Sequence, residues 1–429
     1  MNSNLRLRVH FFLLIVLFLQ SEALRSQDGR TEEQEARKAY RANDFPTFLA
    51  KMKSADELRP NHPRIVYNLA SAFSLNAKPA EALQALRRLV AMQLVYSPER
   101  DKDFDTLRSR SEFSEILSAF KKNQMSVGLT KRQFSLDERG LIAEGLAFDP
   151  VTGSTFLSSV HKRKIIRIDK QGAVTNFTTS ANGLWCAMGM QVDAKRRMLW
   201  VATSAMPQME GFTATDDGRA GIVAFDLNAG KLLRRYTLSN ESGKHVLGDL
   251  TLRSDGAVFA TDSRSPNIYC LKPGSDSLEV FLSGEQFWSL QGLAFSADER
   301  FLLVADYARG LFVVNVDTKK AHLLPPPANA TTLGIDGLYR NKGRLIGVQN
   351  GVNPRRIVQI ELSEPFDRIA SFKVLAANDP VFEEPSLGTF IGGRFCFIAN
   401  SQWNKIDEQG RLAPESELTG PIVLSINPP

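Results

Sequence analysis

From about residue 130 onward, short apolar runs alternate with polar turns, and one phrase returns again and again. Its clearest copy is Trp288-Ser-Leu-Gln-Gly-Leu-Ala-Phe-Ser296, followed by Phe301-Leu-Leu-Val-Ala-Asp-Tyr307. Others are Ala143-Glu-Gly-Leu-Ala-Phe-Asp149, Met188-Gly-Met-Gln-Val-Asp193, Gly248-Asp-Leu-Thr-Leu252 and Ile335-Asp-Gly-Leu-Tyr339, each with a second apolar run behind it. A weaker copy is Glu384-Pro-Ser-Leu-Gly388, trailed by Arg394-Phe-Cys-Phe-Ile-Ala-Asn400. A period of roughly 44 to 59 residues marks an array of supersecondary units. Third strands such as Lys164-Ile-Ile-Arg-Ile-Asp169 and fourth strands such as Leu278-Glu-Val-Phe-Leu282 complete several copies. Four short antiparallel strands per unit make a propeller blade. Six units predict a mainly β fold, a six-bladed β-propeller over residues 130–429. Its ring is expected to close by pairing Arg132-Gln-Phe-Ser-Leu136 with Ile422-Val-Leu-Ser-Ile426, leaving no open sheet edge.

Residues 30–122 carry a different period. Alanine and leucine recur at spacings of three and four, as in Pro79-Ala-Glu-Ala-Leu-Gln-Ala-Leu86, which predicts a small α-helical segment ahead of the propeller. Tyr40-Arg-Ala-Asn-Asp-Phe-Pro46 aligns with Phe73-Ser-Leu-Asn-Ala-Lys-Pro79 at about one 34-residue period, and the segment resembles tetratricopeptide repeats. A partial third unit is expected from Asp103-Phe-Asp-Thr-Leu-Arg108 with Phe113 and Ile116. Such stacks leave a groove able to take a protein or peptide partner, or simply pack against the next domain. Residues 1–23 have the layout of a secretory signal peptide: Arg6 and Arg8, an apolar run from Phe11 to Leu19, then Ser21-Glu-Ala23. Cleavage near Ala23 would give a secreted or periplasmic protein with no transmembrane span.

Composition narrows the function. At 43% hydrophobic and 23% charged residues the chain is globular, and its net charge of +6 is spread without basic runs, which argues against nucleic-acid binding. Three cysteines in apolar contexts read as buried residues, not as a disulfide framework or a zinc site. Neither a G-x-S-x-G motif nor a phosphate-binding glycine loop is present.

In an up-and-down blade the loop entering the first strand and the loop leaving the second share one face. The residue before each glycine turn should therefore point at the channel axis: Glu144, Met188, Gly248, Gln291, Asp336 and Pro385. A wider substrate rim is expected from His161, Asp262, Asp306, Tyr307, Asn350, Asn400 and Trp403, with Asp249 beside the axis. Carboxylates and amides crowded at a narrow mouth need partners. A hard cation is one; backbone amides and water are the other.

At these residues the chain resembles the senescence-marker-protein/gluconolactonase superfamily of regucalcin-like six-bladed propellers, over about residues 130–427. The resemblance rests on the Glu-Gly turn, Gly-Asp-Leu-Thr-Leu with Ala-Thr-Asp-Ser, Gln-Gly-Leu-Ala-Phe with Val-Ala-Asp-Tyr, and Asp-Gly-Leu. It implies a divalent ion, calcium, held by Glu144, Gln291 and Asp336, with Asp336 as the catalytic base. Gln291 stands where the family has a metal-binding asparagine, and Gly248 where it has a substrate asparagine. Two functions follow. One is a calcium-dependent hydrolase of a lactone or ester acting on a small-molecule ligand at the propeller mouth. The other is a non-catalytic binding propeller whose helical repeats serve as the interaction module.

Overall fold

The computed structural model describes residues 29–239 and 243–429. The signal-peptide segment lies outside the described residues. Two compact units emerge: the described residues through Gln124 together with Pro326–Thr331, and the remainder of the chain. No described helix is long and apolar enough to cross a membrane.

The first unit holds helices Arg30–Arg41, Phe45–Leu58, Pro63–Leu75, Pro79–Ala91 and Ser111–Asn123. Pro46, Pro63 and Pro79 occupy the first two positions of three of them, where the missing N–H would be unsatisfied anyway. Asp44 caps the second helix by accepting from Thr47 N at 3.1 Å. Ala36, Phe48, Met52, Ile65 and Leu69 share one core. The two hairpins turn at Asn43 and Ala77, both in the left-handed region and thirty-four residues apart, in keeping with the repeat spacing. The partial third unit differs from expectation. Its first half is a 3-10 segment, Lys102–Leu107, because Asp101 accepts from Asp103 N and holds the turn tight.

The second unit is a six-bladed propeller of four-stranded antiparallel sheets. The innermost strands are Ala143–Asp149, Cys186–Asp193, Leu247–Leu252, Leu290–Phe295, Ile335–Asn341 and Gly388–Ile391. Five blades run sequentially from inside to outside. The sixth is completed by Ile422–Ile426 and, outermost, by Lys131–Ser135 with Lys131 opposite Ser425, the closure expected from sequence.

Second strands are apolar on both faces, as in Phe301–Asp306, because neighbouring sheets cover each side. Phe259 and Phe295 meet edge to face at 5.1 Å between adjacent blades. Cys186, Cys270 and Cys396 are free and buried. Hydroxyls latch the inner ring together: Ser158 Oγ donates to Met188 O at 2.8 Å, Thr261 Oγ1 to Gln291 O at 2.6 Å and Ser386 Oγ to Glu144 O at 2.8 Å.

Candidate functional site

An extra residue in the innermost strand of five blades creates the site. Ala143 pairs with Ser159 but Leu146 with Leu157, so three steps on one strand match two on the other. The same slip occurs between Ala187 and Met190, Leu247 and Asp249, Leu290 and Leu293, and Ile335 and Gly337. A bulge of this kind re-aims a side chain that would otherwise lie flat against a neighbouring sheet. The bulges coincide with Glu144, Met188, Gly248, Gln291 and Asp336.

All five line one cavity of about 240 Å³. The sixth expected axial residue, Pro385, does not line it, and its carbonyl accepts from Asn350 Nδ2 at 3.0 Å; Leu387 lines the cavity in its place. Asp249, Ser263, Tyr307, Asn350 and Trp403 complete the polar wall, and Met206 and Val246 add apolar surface. Sequence reasoning missed Met206 and Val246, which lie outside the repeated turn, and Leu387, which lies within its weakest copy; none of the three carries a polar signal.

Four expected rim residues do not line the cavity. Asp306 turns back and accepts from four backbone amides, those of Trp288, Ser289, Ala308 and Arg309. Asp262 likewise holds Val246, Arg264 and Ser265 amides, and its Oδ2 lies 2.7 Å from Nδ1 of buried His245. Asn400 accepts from Ile422 N and donates to Gly420 O, while His161 Nδ1 lies 2.7 Å from Gln208 O. These four fasten loops: buried backbone groups left unpaired would cost more than the rim gains.

The cavity carries three carboxylates, and among the described residues no lysine, arginine or histidine lines it. Burial pushes Asp249 up to about 8, with Leu250 N opposing and the Asp336 charge adding to the shift. Glu144 rises well above the usual carboxylate range, chiefly through burial and then repulsion by Asp336, against the Trp403 indole that donates to Oε2 at 2.7 Å. Asp336 rises only to about 6, because Asn350 Nδ2 donates to its Oδ2 at 2.8 Å and offsets part of the desolvation. Tyr307 Oη in turn donates to Asn350 Oδ1 at 3.0 Å. At neutral pH Asp336 is therefore ionised, whereas Asp249 is largely protonated.

Gln291 and Gly248 compensate each other. A Cβ on Gly248 would lie 3.3 Å from Gln291 Oε1, so the longer amide occupies room that a side chain at 248 would need. The Gln291 amide is loosely held, 3.4 Å from Ser289 Oγ and 3.5 Å from Ser263 Oγ. Gly189 has a comparable role: its missing Cβ leaves space for the Asp249 carboxylate.

The donor set suits a hard cation in kind: buried oxygen ligands without a positive counter-charge. Hydrogen bonds reach Oε2 of Glu144 and Oδ2 of Asp336, leaving Oε1 and Oδ1 for a ligand among the described residues. The carboxylates stand around the cavity, not on one point; among the described residues no three Asp, Glu, His or Cys side chains gather at coordinating distance.

Asp249 makes a stability prediction. A free aspartate titrates near 4, whereas this one titrates at about 8 in the fold. The folded state thus holds the proton more tightly, and that contribution is full below the unfolded value and lost as pH rises through about 8. Asp249→Asn keeps the acceptor for Leu250 N and removes the charge. It is expected to raise the melting temperature at pH 8 by a few degrees, or about 1–3 kcal/mol, and to change little at pH 4. Melting curves in chelator across that range check it; identical slopes for variant and parent would sink the assignment.

No protein-family model matches the chain, and no curated protein sequence matches it significantly. Among solved structures it is similar to a gluconolactonase from Xanthomonas campestris, 17% identical over 68% of this chain and 89% of that one, with a TM-score of 0.45. It is also similar to regucalcin, a calcium-binding protein from Agrobacterium tumefaciens, at 13% identity over 69% and 96% of the two chains and a TM-score of 0.46. A PQQ-bound aldose sugar dehydrogenase from Streptomyces coelicolor aligns at 15% identity over 69% and 98%, with a TM-score of 0.47. At such distances the likeness carries no chemistry, and the fold rests on the strand pairings themselves. Gluconolactonase and regucalcin structures thus stand among the neighbours of this six-bladed propeller.

Proposed function

We propose that the protein is an exported hydrolase of small lactones or esters whose axial cavity takes a divalent cation such as calcium. The observation that carries this reading is the trio Glu144, Asp249 and Asp336, which line one cavity with no basic side chain beside them among the described residues, Glu144 and Asp249 being buried and Asp336 half-buried. Glu144 and Asp336 would hold the cation with help from the Gln291 amide, and a cation there would polarise a carbonyl oxygen. Asp336, near neutrality, is matched to take a proton from water as the water oxygen bonds to the carbonyl carbon. That proton then passes to the alkoxide released when the ester C–O bond breaks. Asn350 orients Asp336, Tyr307 fixes Asn350, and Trp403 holds Glu144. Met188, Val246 and Leu387 offer apolar surface for the carbon skeleton.

Two measurements test it: the melting temperature with and without calcium, and turnover of a lactone and ester panel. A ligand at a hundred times its dissociation constant adds about 2.7 kcal/mol to folding stability. The expected result is a calcium shift that Asp336→Asn or Glu144→Gln abolishes, together with turnover that chelator removes. A shift without turnover would make the propeller a cation-dependent binding platform; neither would end the proposal.

A further inference from the structure

The helical unit holds a cavity of its own, about 250 Å³, that the propeller chemistry does not use. Two carboxylates are built into it. Tyr67 Oη donates to Asp101 Oδ2 at 2.9 Å, and Tyr40 Oη donates to Asp103 Oδ1 at 3.0 Å. Ser71 Oγ donates to the other oxygen of Asp103. Hydroxyls fix the geometry but supply no positive charge. Arg37 and Arg41 line the same cavity from adjacent turns of the Arg30–Arg41 helix, and both are exposed. Among the described residues neither pairs with Asp101 or Asp103; the carboxylate given to Arg37 is Glu33, at 3.9 Å. Phe48 and the Tyr67 ring, which stacks on Tyr96 at 4.8 Å, supply an apolar wall.

A purely anionic ligand would meet Asp101 and Asp103, and a purely cationic one would meet two guanidiniums; either juxtaposition of like charges is costly. A ligand carrying both charges satisfies all four groups. We propose that this cavity binds a molecule or chain segment bearing an ammonium and a carboxylate close together, the ammonium on Asp101 and Asp103 and the carboxylate on Arg37 and Arg41. The guanidinium fork is the natural partner of a carboxylate, and the aspartates can each still accept from an ammonium. Two sources share this chemistry: a free amino acid, and a peptide with a lysine beside an acidic residue.

Titration calorimetry of the full chain at low salt distinguishes them. The probes are L-leucine and the capped peptide acetyl-Lys-Gly-Glu-amide, against methylammonium chloride and sodium acetate as single-charge controls. At least one zwitterionic probe is expected to bind ten times more tightly than either control. Arg41→Gln, at an exposed position that leaves the fold intact, and Asp103→Asn, which keeps an acceptor for one of the two hydroxyls and offers the other a donor, are each expected to lower that affinity about tenfold. Binding of leucine alone assigns a free amino acid; binding of the capped peptide assigns a peptide segment. Zwitterionic probes no tighter than the controls, or affinity untouched by Arg41→Gln, would overturn the proposal.

Discussion

Asp336→Asn is expected to cut turnover of a lactone or ester by about 100- to 10,000-fold, the range associated with loss of a general base. Three carboxylates share the cavity; burial and mutual repulsion hold Glu144 well above the usual carboxylate range and push Asp249 up to about 8. Asp336, at about 6, carries the negative charge. The rate of the parent protein should rise as pH climbs through about 6 and then level off, and the residual rate of the variant should lack that limb. The substituted amide still presents an oxygen to Asn350 Nδ2, so the fold should melt no lower than the parent. Rate profiles between pH 5 and 8, with melting curves on the same preparations, decide it. A folded variant with undiminished turnover would remove Asp336 from the chemistry.

The second large effect concerns packing, not charge. Gly292→Ala should destabilise the propeller by about 3 kcal/mol, toward the upper end of what overpacking costs. A Cβ at 292 would strike the amide nitrogen of Leu338 and lie 2.7 Å from Asp336 O, both main-chain atoms of the adjacent blade's inner strand. A flexible side chain could swing aside; a bulged strand held by its own ladder cannot. Gly248→Ala is the comparison, because its nearest neighbours are the side-chain atoms Gln291 Oε1 at 3.3 Å and Ser263 Oγ at 3.4 Å. It should cost under 1 kcal/mol, since both neighbours can give. Denaturant unfolding of the two variants measures the difference, and equal stabilities would contradict close blade contact at 292.

Much of the axial site was legible because the repeat and the bulge are the same feature. A bulged residue followed by glycine marks the position where a side chain turns to the axis while the next residue yields to the neighbouring blade. Glu144, Gln291 and Asp336 could be placed on that basis. The rim was read less well, and the failure has a rule behind it. The last residue of the second strand turns back to hold the loop, as Asp262 and Asp306 do, and Gln349 Nε2 likewise donates to Leu333 O at 2.7 Å. The residue after it faces the cavity: Ser263, Tyr307 and Asn350. Sequence shows both as polar and cannot say which oxygen a nearby amide will claim. The pairing of Gln291 with Gly248 was equally hidden, since each reads as an isolated departure until the amide is seen over the vacant side-chain position.

The sixth sheet has a consequence for biosynthesis. Its outermost strand, Lys131–Ser135, emerges from the ribosome before every blade, while its partner Ile422–Ile426 emerges after all of them. Throughout translation of the propeller, that early strand has no sheet to join. Five blades and half of a sixth can form only an open arc with an unpaired edge, the kind of edge that recruits other chains. Nascent or prematurely terminated chains are therefore the form of this protein with most need of a chaperone, and ring closure is the event that ends that need.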